Sequence, residues 1–212
     1  MTGTGGWIDI TQPLYTGMPN WPGDTPFEFG LSAEKAKNGV VNIGKFSTTT
    51  HIGTHVDAPY HFDDDGKRIG DLEIDRYIGR AVLLDVRGNE SVGRAEIERC
   101  DLKGTERVLL KMTGEGPPDR FPDTVPYLRA DIGPFLKEKG VRLIGIDVPS
   151  VDPLDSKTLG AHHSLHRNGV MILENIVLKD VEEGEYELIA LPLRMMNADG
   201  SPVRAVIRKR GG

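Results

Sequence analysis

Between His51 and Phe62 the chain reads HIGTHVDAPYHF, and His51, His55, Asp57 and His61 all fall inside this stretch. Three of the chain's six histidines are thus gathered around one aspartate. Imidazole nitrogen and carboxylate oxygen together suit a borderline divalent ion such as zinc, and several ligands from one short segment can enter one coordination sphere. A lone histidine has ordinary surface or core explanations; three in one loop around an aspartate do not share one. Gly53 permits the backbone to pass close to an ion. Pro59 bars a regular helix, which predicts ligands at a strand end and in the loop behind it. The adjacent Asp63-Asp64-Asp65-Gly66 lacks the ligand spacing and closing glutamate of a calcium loop and reads as a solvated turn.

A site built on His51, His55 and Asp57 needs one more ligand, or a water, to fill a tetrahedral shell. The downstream candidates are His162, His163, His166 and Glu174. Glu174 sits in VMILENIVL, a run apolar enough for a buried strand. An unpaired carboxylate there costs several kcal/mol, and coordination removes that cost. The competing reading is a glutamate on the exposed face of an edge strand. His162 and His163 are neighbours, so on a helix they point about 100° apart and only one faces a common ion comfortably. His166 lies one turn after His162 and is expected exposed near a helix C-terminus, where imidazolium is favoured. His61, beyond Pro59, is either a third ligand to the first ion or an acid/base group; imidazole titrates near neutrality, which suits a group that accepts and donates in one turnover.

The bulk numbers bound the remaining possibilities. A length of 212 residues with 38% apolar content fits one compact domain, residues 1–212. The 26 glycines and 14 prolines suit a β-rich fold with many turns. A net charge of −6 and no basic stripe exclude nucleic acid as an expected partner, leaving Arg208-Lys209-Arg210 as a short solvated tail. Cys100 is the only cysteine, forms no intrachain disulfide, and fits a reducing compartment. The start, MTGTGGWIDI, shows no signal-peptide pattern, and no apolar run is long enough to span a bilayer. The expectation is a soluble, cytoplasmic protein with no membrane partner.

Strand-length apolar runs bounded by turn residues are expected at Trp7–Ile10, Val40–Phe46, Arg80–Val86, Arg107–Met112, Arg142–Val148, Val170–Val177, Tyr186–Leu193 and Val203–Ile207. Helices are expected over Pro126–Lys139, despite Gly133-Pro134, and over Asp155–Arg167, with Asp155 as N-cap and Asn168-Gly169 as terminator. A shorter one is expected near Arg94–Cys100. Strands outnumber helices, so the fold class is mixed α/β with a largely β core.

The motif HIGTHVDAPYHF resembles the signature of the cyclase-like metal-dependent hydrolases. Further segments resemble the bacterial kynurenine formamidases: WPGDTPF at Trp21–Phe27, RLIGIDVPSVDPLD at Arg142–Asp155, AHHSLHRNG at Ala161–Gly169, ILEN at Ile172–Asn175, and ELIALPL followed by DGSPVRAVIR. This resemblance runs from Trp7 to Arg208. It implies a swivelling β/β/α-type domain whose sheet curls into a barrel-like core. It also implies two metal ions per subunit, the first held by His51, His55, Asp57 and Glu174, the second by Asp57, His162 and Glu174, with the two carboxylates bridging. Zinc is the implied metal, and the ligand set would also accept manganese or cadmium. His61 becomes the acid/base group, and Trp21 the partner of the substrate's aromatic part. The implied reaction is hydrolysis of N-formyl-L-kynurenine to L-kynurenine and formate, with metal-activated water as nucleophile, in a homodimer. The alternatives are a related hydrolase acting on another amide, such as the cyclic isatin, or a metal-binding protein without turnover, which would have no need of His61. No residue is singled out for the amino-acid end of the substrate, and no surface for the dimer.

Overall fold

The computed structural model describes residues 6–210. Residues 1–5, the first half of the start that shows no signal-peptide pattern, lie outside the described residues, as do Gly211 and Gly212. In chain order the strands are β1 (Trp7–Asp9), β2 (Glu28–Ala33), β3 (Ile43–Ser47), β4 (His55–Asp57), β5 (Ile78–Asp85), β6 (Ser91–Val92), β7 (Arg107–Lys111), β8 (Tyr127–Leu128), β9 (Leu143–Ile146), β10 (Met171–Glu174), β11 (Gly184–Ile189), β12 (Gly200–Pro202) and β13 (Val206–Lys209). The helices are α1 (Lys35–Asn38), α2 (Arg94–Ile97), α3 (Ile132–Glu138) and α4 (Gly160–Arg167).

Nine strands form one sheet in the order β1-β13-β11-β5-β7-β9-β10-β4-β12. Its centre, β5-β7-β9-β10, is parallel, and both flanks are antiparallel. Parallel neighbours need crossovers, and α2, α3 and α4 supply them. Strand periodicity sorts the side chains onto two faces. Val82, Leu84, Val108, Leu110 and Ile144 pack under the helices against Ile97, Ile132, Phe135, Leu136 and Leu165. Ala81, Leu83, Leu109, Leu143 and Leu173 face the other way, and the flanking strands curl round to cover them with Val56, Tyr186, Leu188 and Ile207. The result is the strand-rich half-barrel with one helical layer that the resemblance implied.

The helices are shorter than expected. Residues 127–128 are extended, and α3 begins only at Ile132, so Pro134 falls in its first turn, where its missing N–H has no intrahelical partner to lose. Asp155 is not the N-cap of α4. The helix starts at Gly160 after Leu159 in left-handed conformation, and Asp152 accepts the free N–H groups of Ala161 (2.9 Å) and His162 (3.0 Å) from outside the helix. The terminators match expectation: Asn168 is the C-cap of α4, and Gly169 and Gly140 adopt positive φ. Strands β2 and β12 were not expected, since glycine and proline interrupt their apolar pattern. The β2–β3 hairpin stands apart from the main sheet, with Phe29, Leu31, Ile43 and Phe46 exposed. No helix among the described residues is long and apolar enough to cross a membrane.

Helix α3 presses on α4 through Gly133. A Cβ there would lie 2.5 Å from Ser164 Oγ and 2.8 Å from the Ser164 carbonyl oxygen. Gly133→Ala should therefore destabilise the protein by about 1–3 kcal/mol through overpacking. Urea unfolding should show a lowered midpoint at unchanged slope; an unchanged midpoint would mean that α4 shifts freely against α3.

Candidate metal centre

The candidate ligands converge because of strand register. His55 and Asp57 are two apart in β4 and point to the same face. Strand β10 runs antiparallel beside them with Glu174 directly opposite His55, so all three side chains share that face. Glu174 ends a parallel strand, and the loops after β7 and β9 gather at the same edge, the usual location of sites in such sheets. His51 enters from the turn before β4. Gly200 lies opposite Asp57 in β12, and a Cβ there would sit 2.7 Å from the His51 ring, so only glycine leaves room. Gly53 has a role other than approach to an ion: it turns the chain at φ +55°, and its carbonyl oxygen faces His55 Nδ1 at 2.8 Å. His61 closes a short 3-10 turn that begins at Pro59.

The geometry is that of a polar core with an inward-facing set of donors. His51 Nδ1 is 3.0 Å from Asp57 Oδ1, and His55 Nε2 is 3.5 Å from the same oxygen and 3.3 Å from Glu174 Oε2. His162 Nε2 is 3.5 Å from Asp57 Oδ2 and 3.8 Å from Glu174 Oε1. His162, and not its neighbour His163, reaches the cluster; the His163 ring packs near Phe62 instead. His166 is half-buried rather than exposed, with Nε2 3.4 Å from Asp63. Asp64 and Asp65 are exposed in the expected turn.

These residues fit a divalent ion on the structure's own terms. Asp57 Oδ2 is buried and accepts no hydrogen bond, a costly state for a carboxylate oxygen that coordination would relieve. The outward nitrogens are occupied: His55 Nδ1 by the Gly53 carbonyl, His162 Nδ1 by Asp152 Oδ2 at 2.7 Å, His51 Nε2 by Asp199 Oδ2 at 3.1 Å. An imidazole that donates outward presents its lone pair inward, the arrangement of metal-binding histidines. Candidate groupings within reach of one ion are His51-His55-Asp57 and Asp57-His162-Glu174, with His51-His61-Asp199 alongside.

Electrostatics tie the groups together. Burial alone would raise Asp57, yet the imidazoles of His162, His51 and His55 outweigh it and hold the carboxyl well below its usual range. Burial likewise opposes protonation of His51 and His162. The carboxylates of Asp199 and Asp57 around His51, and of Asp152, Asp57 and Glu174 around His162, prevail and raise each to about 10. The His51 imidazole, hydrogen-bonded to Asp199, and then the nearby His61 ring hold that carboxyl far below the ordinary carboxylate range.

The cluster forms the floor of a cavity of about 390 Å³, a volume suited to a small molecule. One wall is Trp21, held by a turn in which Asp24 N–H donates to the Trp21 carbonyl (3.1 Å) across Pro22 and Gly23 at φ +95°. Phe121 packs edge-on against Trp21, ring centres 5.2 Å apart. His61 is exposed to this cavity beside the cluster, its ring 3.9 Å from that of His51. Sequence reasoning singled out neither Asp199, Asp152 nor Phe121. The two aspartates lie in segments that carry the family resemblance, whereas Phe121 carries no signal at all.

The raised histidines give a direction for ion binding. Both stay protonated at neutral pH in the absence of an ion, because their folded-state pKa lies above the ordinary 6.5. An ion needs the free lone pair, so binding must expel those protons, and affinity must rise with pH until about 10. Zinc titration by calorimetry near neutral pH, in buffers of different ionisation enthalpy, should report net proton release. Release of no protons would place zinc elsewhere.

Residues 8–153 match the family model Cyclase, described as "Putative cyclase". The chain is 56% identical over 205 residues to a kynurenine formamidase of Bacillus thuringiensis (strain Al Hakam), covering 97% of this chain and 98% of that protein. It is 57% identical, with the same coverage, to one of Bacillus mycoides (strain KBAB4). Among solved structures it resembles a "predicted metal-dependent hydrolase" from Bacillus stearothermophilus, at 27% identity and TM-score 0.81, covering 96% of this chain and 98% of that one. It also shares the fold of isatin hydrolase A from Labrenzia aggregata, at 20% identity and TM-score 0.78, covering 97% and 94%. The chain belongs to the Cyclase family and, within it, to the kynurenine formamidases.

Proposed function

We propose that the protein hydrolyses N-formyl-L-kynurenine to L-kynurenine and formate. The observation that carries this reading is the kinship with kynurenine formamidases along almost the entire chain, in a molecule that sets the exposed His61 beside a carboxylate–imidazole cluster. Water adds across the formyl C–N bond, its oxygen going to the formyl carbon and a proton to the departing aniline nitrogen. Divalent ions, when bound, would acidify the attacking water and polarise the formyl oxygen. Trp21 and Phe121 hold the aryl ring at the cavity wall and exclude water from that side. His61, exposed beside the His51-His55-Asp57 and Asp57-His162-Glu174 groupings, would hold the proton that reaches the aniline nitrogen.

Two zinc ions are the finer reading. Its support is the way each carboxylate divides its oxygens. Asp57 turns Oδ1 to His51 and His55 and Oδ2 to His162; Glu174 turns Oε2 to His55 and Oε1 to His162. Residues so disposed suit a bridging role, with His51 and His55 on one side and His162 on the other. Manganese or cadmium would fit the same donors. The chain reads as one domain, since one sheet takes strands from β1 through β13. A cytoplasmic location accords with the single free Cys100. A homodimer accords with the β2–β3 hairpin, whose exposed Phe29, Leu31 and Phe46 exceed what a two-stranded ribbon supports alone in water.

Turnover of N-formyl-L-kynurenine should be abolished by chelation and restored by zinc. His61→Ala should keep its metal while losing about 10²–10⁴-fold in kcat. Metal loss in that variant would make His61 a ligand. No turnover by a folded, zinc-loaded sample would reject the substrate and direct the assay to isatin. Light scattering should report a dimer, and Phe29→Asp combined with Phe46→Asp should yield monomers; an unaltered mass would remove the hairpin from the interface.

A further inference from the structure

We infer that Asp199 is a positioning residue that sets the orientation of both His51 and His61 through one carboxylate oxygen. The inference rests on the formamidase reading for its effect on turnover, but not for its effect on metal binding. Asp199 immediately precedes β12, and its main chain is pinned to the histidine loop: Ala58 N–H donates to the Asp199 carbonyl at 2.8 Å, and Gly200 stands opposite Asp57. The side chain is pinned too, because the Thr50 hydroxyl donates to Oδ1 at 2.6 Å. Oδ2 is left to face His51 Nε2 at 3.1 Å and His61 Nδ1 at 3.7 Å.

The chemistry follows from the two nitrogens of each ring. His51 turns Nδ1 toward Asp57 and the ligand cluster. Its lone pair is available there only if the proton sits on Nε2, and that N–H needs an acceptor, which Asp199 provides. In His61, Nδ1 is the atom nearest Asp199, so Nε2 is left for the cavity. The two rings lie against one another at 3.9 Å, so a rotation of either disturbs the other. An asparagine at this position keeps the volume but offers one acceptor oxygen and one donor nitrogen. It can serve both imidazole N–H groups only with Nδ2 turned to the Thr50 hydroxyl as acceptor, and it then holds the rings without the negative charge that strengthens those bonds.

Asp199→Asn, Thr50→Val and Thr50→Ser test this in the full-length protein. Zinc affinity would be read by competition with a chromophoric chelator, zinc content by elemental analysis, and kcat and KM with N-formyl-L-kynurenine. Asp199→Asn should retain the zinc content of the parent, bind zinc about 10–100-fold more weakly, and lose a similar factor in kcat with little change in KM. Thr50→Val should move both in the same direction by less, and Thr50→Ser should restore them. Zinc affinity and kcat within about twofold of the parent in Asp199→Asn would overturn the inference. So would loss of a whole equivalent of zinc, which would make Asp199 a ligand in the His51-His61-Asp199 grouping. If Asp199→Asn does not fold, the Thr50 pair decides by the same criteria. A parent inactive on N-formyl-L-kynurenine removes the functional reading alone; zinc affinity then decides for or against Asp199.

Discussion

Two carboxylates, Asp57 and Glu174, are buried on neighbouring strands with only 3% of each residue exposed. Leaving such groups charged inside a protein costs several kcal/mol apiece unless partners surround them. Here three imidazoles and one backbone N–H, that of Val151 to Glu174 Oε1 at 2.8 Å, provide the surroundings. The need to bring those partners to one point explains much of the architecture. Strand β10 must lie between β9 and β4, β12 must pair with β4 so that glycine faces His51, and α4 must start where His162 can look down on the strand ends.

The same groups that orient the histidines also hold the fold. Asp152 binds the N-terminal N–H groups of α4 and the side chain of His162, so the helix start and the imidazole are located by one carboxylate. Gly53 shapes the turn before β4 and accepts from His55. Each inward-facing ring is thus held at its far side by an element of the scaffold. Such outer contacts keep the ring orientations fixed.

The cavity above is walled by loops that the sheet edge fastens in place. Asp147, just past β9, accepts the N–H groups of Met112 (2.7 Å) and Gly114 (2.7 Å) and the Thr113 hydroxyl (3.1 Å), which secures the loop following β7. On another side the Trp21 turn runs through Pro22, Gly23 and Asp24, and the Asn20 side chain donates to the carbonyls of Trp21 (3.0 Å) and Asp24 (3.1 Å). Trp21 and Phe121, from distant segments, then meet edge to face at the rim above the polar floor.

Much of this was legible in the sequence because it is local. The crowding of His51, His55, Asp57 and His61 is visible without a structure, as is a glutamate stranded in an apolar run at 170–178. Strand periodicity located most of the main sheet, and Asn168-Gly169 marked the end of α4. Where local signals mislead, the reason is also local: Pro134 looks like a helix interior until the true start at Ile132 places it in the first turn. Other features needed the tertiary structure. The choice between His162 and His163 depends on which face of α4 meets β10. The pairing of His51 with Asp199 spans 148 positions in the chain. An aspartate in an Asp-Gly-Ser turn reads as ordinary loop, and becomes something else only when strand register lays it beside two imidazoles. Residue type and spacing determined the chemistry on offer; the register of β4 against β10 and β12, a property of the whole sheet, decided which groups share it.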